Sequence, residues 1–183
     1  PVSFFTNGIF TSLDLSFEKG KQVDIPSGII LPSIEKYVFE GNMVSMDDEN
    51  GIRIRDKGDI DFVYALPDGF SPDEFTIKFD TYIPLYVKYN MEDMKAWNSN
   101  MQFTILQNKY EYYLYNKDKD TWEQISENHH QPSDAKKYVD AENKLRVRVR
   151  VVELADAKEK GNNEYFEMER LSYPGLELKG VAE

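Results

Sequence analysis

The feature that most constrains this chain is a strict two-residue alternation of apolar and polar side chains. Leu145, Val147, Val149 and Val151 alternate with Arg146, Arg148 and Arg150. Ile52-Arg53-Ile54-Arg55 repeats the pattern, as does Phe75-Thr76-Ile77-Lys78-Phe79-Asp80, which continues through Tyr82 to Ile83. A period of two sends successive side chains to opposite faces of a strand. One face is then buried and the other wet, which describes an antiparallel sheet. Further strands are expected at Asp61 to Leu66, Leu85 to Tyr89, Gln102 to Gln107, Glu111 to Tyr115, Thr121 to Ile125 and Tyr165 to Arg170.

Turn chemistry separates these segments at Asn50-Gly51, Lys57-Gly58-Asp59, Pro67-Asp68-Gly69 and Gly161-Asn162-Asn163. Tyr110 to Tyr115, Asn116 to Asp120 and Trp122 to Ile125 read as a hairpin with a polar loop. Helical signals are few. Ser133 to Tyr138 reads as one turn capped by Ser133, and Met91 to Trp97 and Ala155 to Lys160 are short candidates. None alternates with strands at βαβ spacing. The expected fold is therefore all-β, a two-sheet antiparallel β-sandwich with a few short helical turns, in one domain over residues 1–183.

Composition narrows the function classes. The formal net charge of −11 argues against nucleic acid, whose affinity rests largely on neutralising phosphates. It argues equally against docking on an anionic membrane. With no cysteine, disulfides, thiolate catalysis and Cys-ligated zinc are excluded. No apolar run approaches the roughly 18 residues of a membrane helix, so no membrane insertion is expected. No signal peptide is visible and the chain opens at Pro1. A processed or truncated chain is expected, its export signal or anchor lying outside the sequence.

The stretch from Leu66 to Pro84, LPDGFSPDEFTIKFDTYIP, resembles the segment entering the first long strand of concanavalin A-like and laminin G-like jelly rolls. It is similar in particular to those of surface-associated proteins from Bacteroidetes-type bacteria. Lys144 to Val149 and Phe166 to Leu171 stand where such domains place their closing strands, and Tyr138 stands where they usually carry a Trp. The resemblance implies a jelly roll that binds glycan or protein, lectin-like, at the cell surface, in the periplasm or outside the cell. It also implies a calcium ion in an edge loop as an option, and in some relatives polysaccharide cleavage. Fold alone does not choose among these.

Candidate sites follow from residue types. Five of the six arginines, Arg53, Arg55, Arg146, Arg148 and Arg150, lie on two alternating strands. If those strands share a sheet, the guanidinium groups form a comb suited to carboxylate or sulfate. The alternative is cross-strand pairing with neighbouring acids. Trp97, Trp122, Tyr110, Tyr112, Tyr113 and Tyr115 are the aromatic candidates for stacking on a sugar, Tyr113 and Trp122 foremost, and core or edge packing is the other role open to them; Tyr113 and Tyr115 share a face opposite Tyr110 and Tyr112. Asn116, Asp118, Asp120, Gln124 and Glu127 have the spacing of a calcium loop, but Thr121 replaces its turn glycine and no helix flanks it. The clusters at Asp47 to Asn50 and at Asp56, Asp59 and Asp61 are further oxygen-rich loops. His129 and His130 are read as surface loop residues. Glu167-x-Glu169 places two carboxylates on one strand face, the minimum for glycoside hydrolysis. No serine-nucleophile motif, phosphate loop or dinucleotide fingerprint occurs. The reading is a non-catalytic glycan- or protein-binding module without an obligatory cofactor. A polysaccharide-active enzyme and an assembly domain of a larger surface protein are its alternatives.

Overall fold

Alternation resolves into strands throughout. The computed structural model describes residues 18–39, 44–47, 51–54, 56–82, 102–154, 164–168 and 170–183. In chain order the strands are β1 (Gln22–Ile25), β2 (Ser33–Phe39), β3 (Val44–Asp47), β4 (Gly51–Ile54), β5 (Gly58–Ala65), β6 (Phe70–Lys78) and β7 (Thr81–Tyr82). There follow β8 (Gln102–Leu106), β9 (Lys109–Asn116), β10 (Thr121–Ile125), β11 (His129–Gln131), β12 (Lys144–Glu153), β13 (Glu164–Met168), β14 (Arg170–Leu171) and β15 (Gly175–Ala182). Among the described residues a single 3₁₀ turn, Ala135–Tyr138, precedes β12.

The molecule is an all-β two-sheet sandwich. One large sheet has the order β1-β15-β6-β11 and the other β10-β9-β12-β5-β2, with every pairing in both antiparallel. A smaller antiparallel sheet, β3-β4-β14-β7, and a parallel pair, β13 with β8, complete the described strands.

The inward faces of the large sheets make one core. Ile25, Phe75, Ile77, Leu176 and Leu178 from the first meet Ile60, Phe62, Tyr64, Leu114, Leu145, Val147 and Val149 from the second. Each fully buried side chain of this size contributes about 1.5–3 kcal/mol of transfer free energy. Phe79 stacks on Tyr112 at 3.9 Å between centroids, and Phe75 meets Tyr138 edge-on at 5.8 Å. The phenol of Tyr64, fully enclosed, donates to the Pro174 carbonyl at 2.5 Å. Burial holds its pKa well above the usual tyrosine value.

Several expectations are corrected. The Lys57-Gly58-Asp59 segment is not a separate turn: Gly58 and Asp59 already belong to β5, because β12 and β2 both pair there. Asp134, in the left-handed region at φ 54°, caps the 3₁₀ turn instead of Ser133, and its side chain makes no capping bond. His129 and His130 lie in a strand, β11, paired with β6. The closing strand of the fold is β15, while the segment 166–171 divides between the parallel β13 and the short β14. The expected elements at 85–89, 91–97 and 155–160 lie outside the described residues.

Candidate functional site

The outward face of the five-stranded sheet gathers Arg146, Arg148, Arg150, Tyr113 and Trp122. β12 alternates without interruption, so Leu145, Val147, Val149 and Val151 go to the core and Arg146, Arg148 and Arg150 go out. Antiparallel register then chooses their neighbours. Arg148 lies between Asp61 on β5 and Tyr113 on β9; Arg150 lies between Asp59 and Glu111. On the next strand Trp122 stands opposite Tyr115 and Gln124 opposite Tyr113.

Every one of these three arginines is held by carboxylate. Arg148 donates from Nε and Nη2 to the two oxygens of Asp61 at 2.6 and 2.9 Å. Arg150 makes the same fork to Asp59 at 2.8 and 3.1 Å. Arg146 forks onto Glu35 at 2.7 and 3.1 Å and donates its remaining Nη1 to Asp140. Such two-point pairs are the strongest arrangement of this charge type. They hold all three guanidinium groups above their ordinary pKa. The hydrogen bond donated to Glu35, Asp61 or Asp59 is the largest cause and opposes desolvation in each case.

The aromatic rings complete a lattice. The guanidinium of Arg148 lies 4.1 Å from the Trp122 ring centre, and that of Arg150 lies 4.9 Å from Tyr113. Tyr115 tilts against Trp122 at 5.2 Å. Tyr113 donates to Glu111 at 3.3 Å, where Gln124 Nε2 also donates at 3.2 Å. Tyr115 donates to Asp120, and that bond is the first cause of its raised pKa. Beside Arg150, a cleft of about 420 Å³ is lined by Val38, Lys57, Asp59, Val151 and Val152. Val38 is 54% exposed.

The five-arginine comb is thus corrected. β4, which carries Arg53, belongs to the small sheet and not to the sheet of β12. The Arg53 side chain and all of Arg55 lie outside the described residues. Asp59 and Asp61, sequence candidates for a cation loop, are instead the partners of Arg150 and Arg148.

The calcium-loop spacing is corrected as well. Asn116 Oδ1 accepts the backbone N–H groups of Asp118 and Lys119 at 3.0 and 3.2 Å, and its Nδ2 donates to Glu123 at 2.9 Å. Asp120 accepts from Tyr115, Gln124 faces outward on β10, and Glu127 lies beyond that strand. The set does not converge on one point. Among the described residues no group of three metal-ligating side chains assembles. Glu167 sits in β13 with its side chain outside the described residues, as is all of Glu169.

A second polar cluster bridges the two sheets where β10 crosses to β11. Glu123 accepts from Asn116 and from the Tyr138 hydroxyl at 2.8 Å, and these two bonds lower its pKa. Burial, then the bond to Glu123, pushes Tyr138 up to about 12. His129 pairs with Ile77 and shares its inward face. Its Nε2 is buried without a hydrogen-bond partner among the described residues. Burial, and then the neighbouring His130, lower its pKa against the opposing pull of Glu123. The surface reading of His129 is therefore corrected, whereas His130 is exposed, bonded to Thr76 at 2.8 Å and 3.8 Å from Glu74.

The acids that hold the arginines were not singled out as their partners in the sequence. Nothing in a one-dimensional pattern pairs residue 35 with residue 146. Only alternation on β2, β5 and β9 hints at which acids face outward.

Fold and face together define an all-β sandwich with a charged and aromatic outer surface. Among the described residues no helix is long and apolar enough to cross a membrane. The chain belongs to the family described as Domain of unknown function (DUF8815), whose profile matches residues 24–180. No curated protein and no solved structure matches it.

Proposed function

We propose that this domain is a non-catalytic binding module and that its ligand, a glycan or a protein, lies on the outer face of the five-stranded sheet. The observation that carries the reading is the lattice of Tyr113, Tyr115 and Trp122 interleaved with Arg148, Arg150, Glu111 and Gln124. Aromatic rings with polar edges supply contact area at small entropic cost. Two-point ion pairs hold the guanidinium groups in place before any ligand arrives, so little ordering is left for binding to oppose. The resemblance of the β6 segment to jelly rolls of surface-associated bacterial proteins supports a setting at the cell surface or outside the cell.

The test compares the intact chain with Trp122→Ala and Tyr113→Ala on glycan arrays and on solubilised surface proteins. Binding that disappears in both variants, with melting temperature retained, supports the reading. Binding unaffected by either variant moves the ligand off this face.

A further inference from the structure

We infer that the ligand of this face is an uncharged polysaccharide, bound through hydroxyl groups and contact with aromatic ring edges and not through ionic attraction. The inference rests on the outer face being the binding surface. It concerns the class of ligand.

The first argument is charge. A row of three arginines on an open strand face suggests an acidic glycan, but each guanidinium is already occupied. Arg148 and Arg150 use their forks on Asp61 and Asp59, and Arg146 is enclosed by Glu35 and Asp140. Glu111 adds a further carboxylate beside Arg150. The remaining cations here are Lys36, across from Asp61, Lys57 at the cleft beside Arg150, Lys109, which pairs with Glu153 at 2.9 Å, and Lys144, which pairs with Glu142 at 3.4 Å. Acids therefore match or outnumber cations, on a chain of net charge −11. A uronate or sulfate would have to displace a two-point carboxylate that is part of the fold. It would approach against the field of the whole molecule.

The second argument separates sugar from protein. The centre of a protein–protein interface favours Tyr, Trp and Arg but is depleted in Asp, Glu and Lys. This face keeps Asp59, Asp61 and Glu111 among its arginines and rings. Its aromatic residues are themselves partly covered by guanidinium groups. Val38, the large hydrophobic residue that is well exposed among those described, stands at the edge strand β2 and not at the centre.

Fixed donors and acceptors, side by side on a pleated surface, are what vicinal hydroxyl groups can use. Arg150 Nη1 reaches the Tyr113 oxygen at only 3.5 Å, so that donor is weakly used. Gln124 is exposed and anchored through Glu111, leaving its amide oxygen as an acceptor. The ring edges of Tyr115 and Trp122 give the apolar part of the contact.

The experiment is affinity electrophoresis and calorimetry of the full chain against two sets of soluble polymers. One set is mixed-linkage β-glucan, xyloglucan and galactomannan; the other is polygalacturonate and dextran sulfate. Each is measured at about 20 and about 500 mM NaCl, a range over which exposed ionic attraction is strongly screened. The expected result is binding to a neutral polymer whose affinity changes by less than about twofold with salt. Trp122→Ala should weaken it by about tenfold or more, a loss of the size expected when a large aromatic contact is removed. Gln124→Ala, an exposed change with no core contact to lose, should weaken it by a smaller factor.

Preferential binding to the acidic polymers, falling with salt and sensitive to Trp122→Ala, overturns the inference and leaves the binding face standing. Silence toward every polymer also overturns it, and the protein arm of the preceding test then decides the face. Neutral-polymer binding indifferent to both substitutions overturns inference and face together.

Discussion

At the scale of single residues, the ion pairs of the outer face have an energetic consequence that can be measured apart from binding. The Asp61 side chain is only 9% exposed, and Arg148 supplies both of its hydrogen bonds to guanidinium. Arg148→Ala leaves that carboxylate buried with its partner gone and uncovers one side of Trp122. A loss of about 1–3 kcal/mol is expected, since the cost is the desolvation of an unpaired acceptor and not the small net worth of the pair. The double change Arg148→Met with Asp61→Leu removes both charges together and should recover most of the loss in denaturant titrations. A double variant as unstable as Arg148→Ala would mean that the ion pair is not the cause. Tyr64→Phe tests a different kind of residue. Its hydroxyl is enclosed and bonded to the Pro174 carbonyl, so removing it should cost about 1 kcal/mol while leaving the aromatic packing intact. No change in the denaturation midpoint would remove that bond from the account.

Elements show where the sequence was legible and where it was not. β12 and β10 could be placed directly: the eight residues Lys144 to Val151 alternate without a break and admit only one period, and Asn116 to Asp120 carry turn chemistry. The hairpin joining β9 to β10 has its expected form, but its Asn116 closes a turn instead of holding a cation. Asn116→Ala should therefore lower stability by about 1–2 kcal/mol, because two backbone donors and Glu123 lose a buried partner. Calcium should leave the melting temperature of the parent chain unchanged. A calcium-induced rise that the variant lacks would restore the cation reading. β15 was missed for a physical reason: Gly175 and Gly180 break up its pattern, yet Gly180 is required by close approach of the neighbouring strand. A Cβ on Gly180 would come against the Ser71 carbonyl and within 2.7 Å of the Phe70 ring, where the β6–β15 register shifts opposite Pro72. Gly180→Ala is expected to cost about 1–3 kcal/mol, the usual penalty of overpacking, read as a fall in melting temperature. β11 was missed because His-His-Gln has no apolar member and becomes a strand only by pairing with β6. The arginine partners were invisible for a related reason: cross-strand register is set by the three-dimensional pairing and not by spacing along the chain.

For the whole molecule the two sheets are joined by more than apolar packing, and acid should reveal it. His129 faces inward on β11 of one sheet, and the nearby charged groups are His130 beside it and Glu123 on β10 of the other. Burial lowers the His129 pKa below its ordinary 6.5, so the unfolded chain takes up the proton first as pH falls. The stability tied to neutral His129 is complete above that value and is lost as pH drops through 6.5 toward the lower folded pKa. Glu123 and Asp140 behave in the same direction but in a different window. Hydrogen bonds from Asn116 and Tyr138 lower Glu123 below 4.5, and those from Arg146 and the backbone lower Asp140 below 3.8 despite desolvation. Their contributions are present above those ordinary values and fade only in stronger acid. Acid unfolding should accordingly show a first decline in the melting temperature just below neutral and a second, steeper one below about pH 4. His129→Gln keeps the size and polarity of the side chain but cannot titrate. It should flatten the first decline and leave the second, since Glu123 keeps its bonds to Asn116 and Tyr138. If the first decline survives in His129→Gln, the inward-facing histidine is not its source, and the acid sensitivity does not belong to the contact between the two sheets.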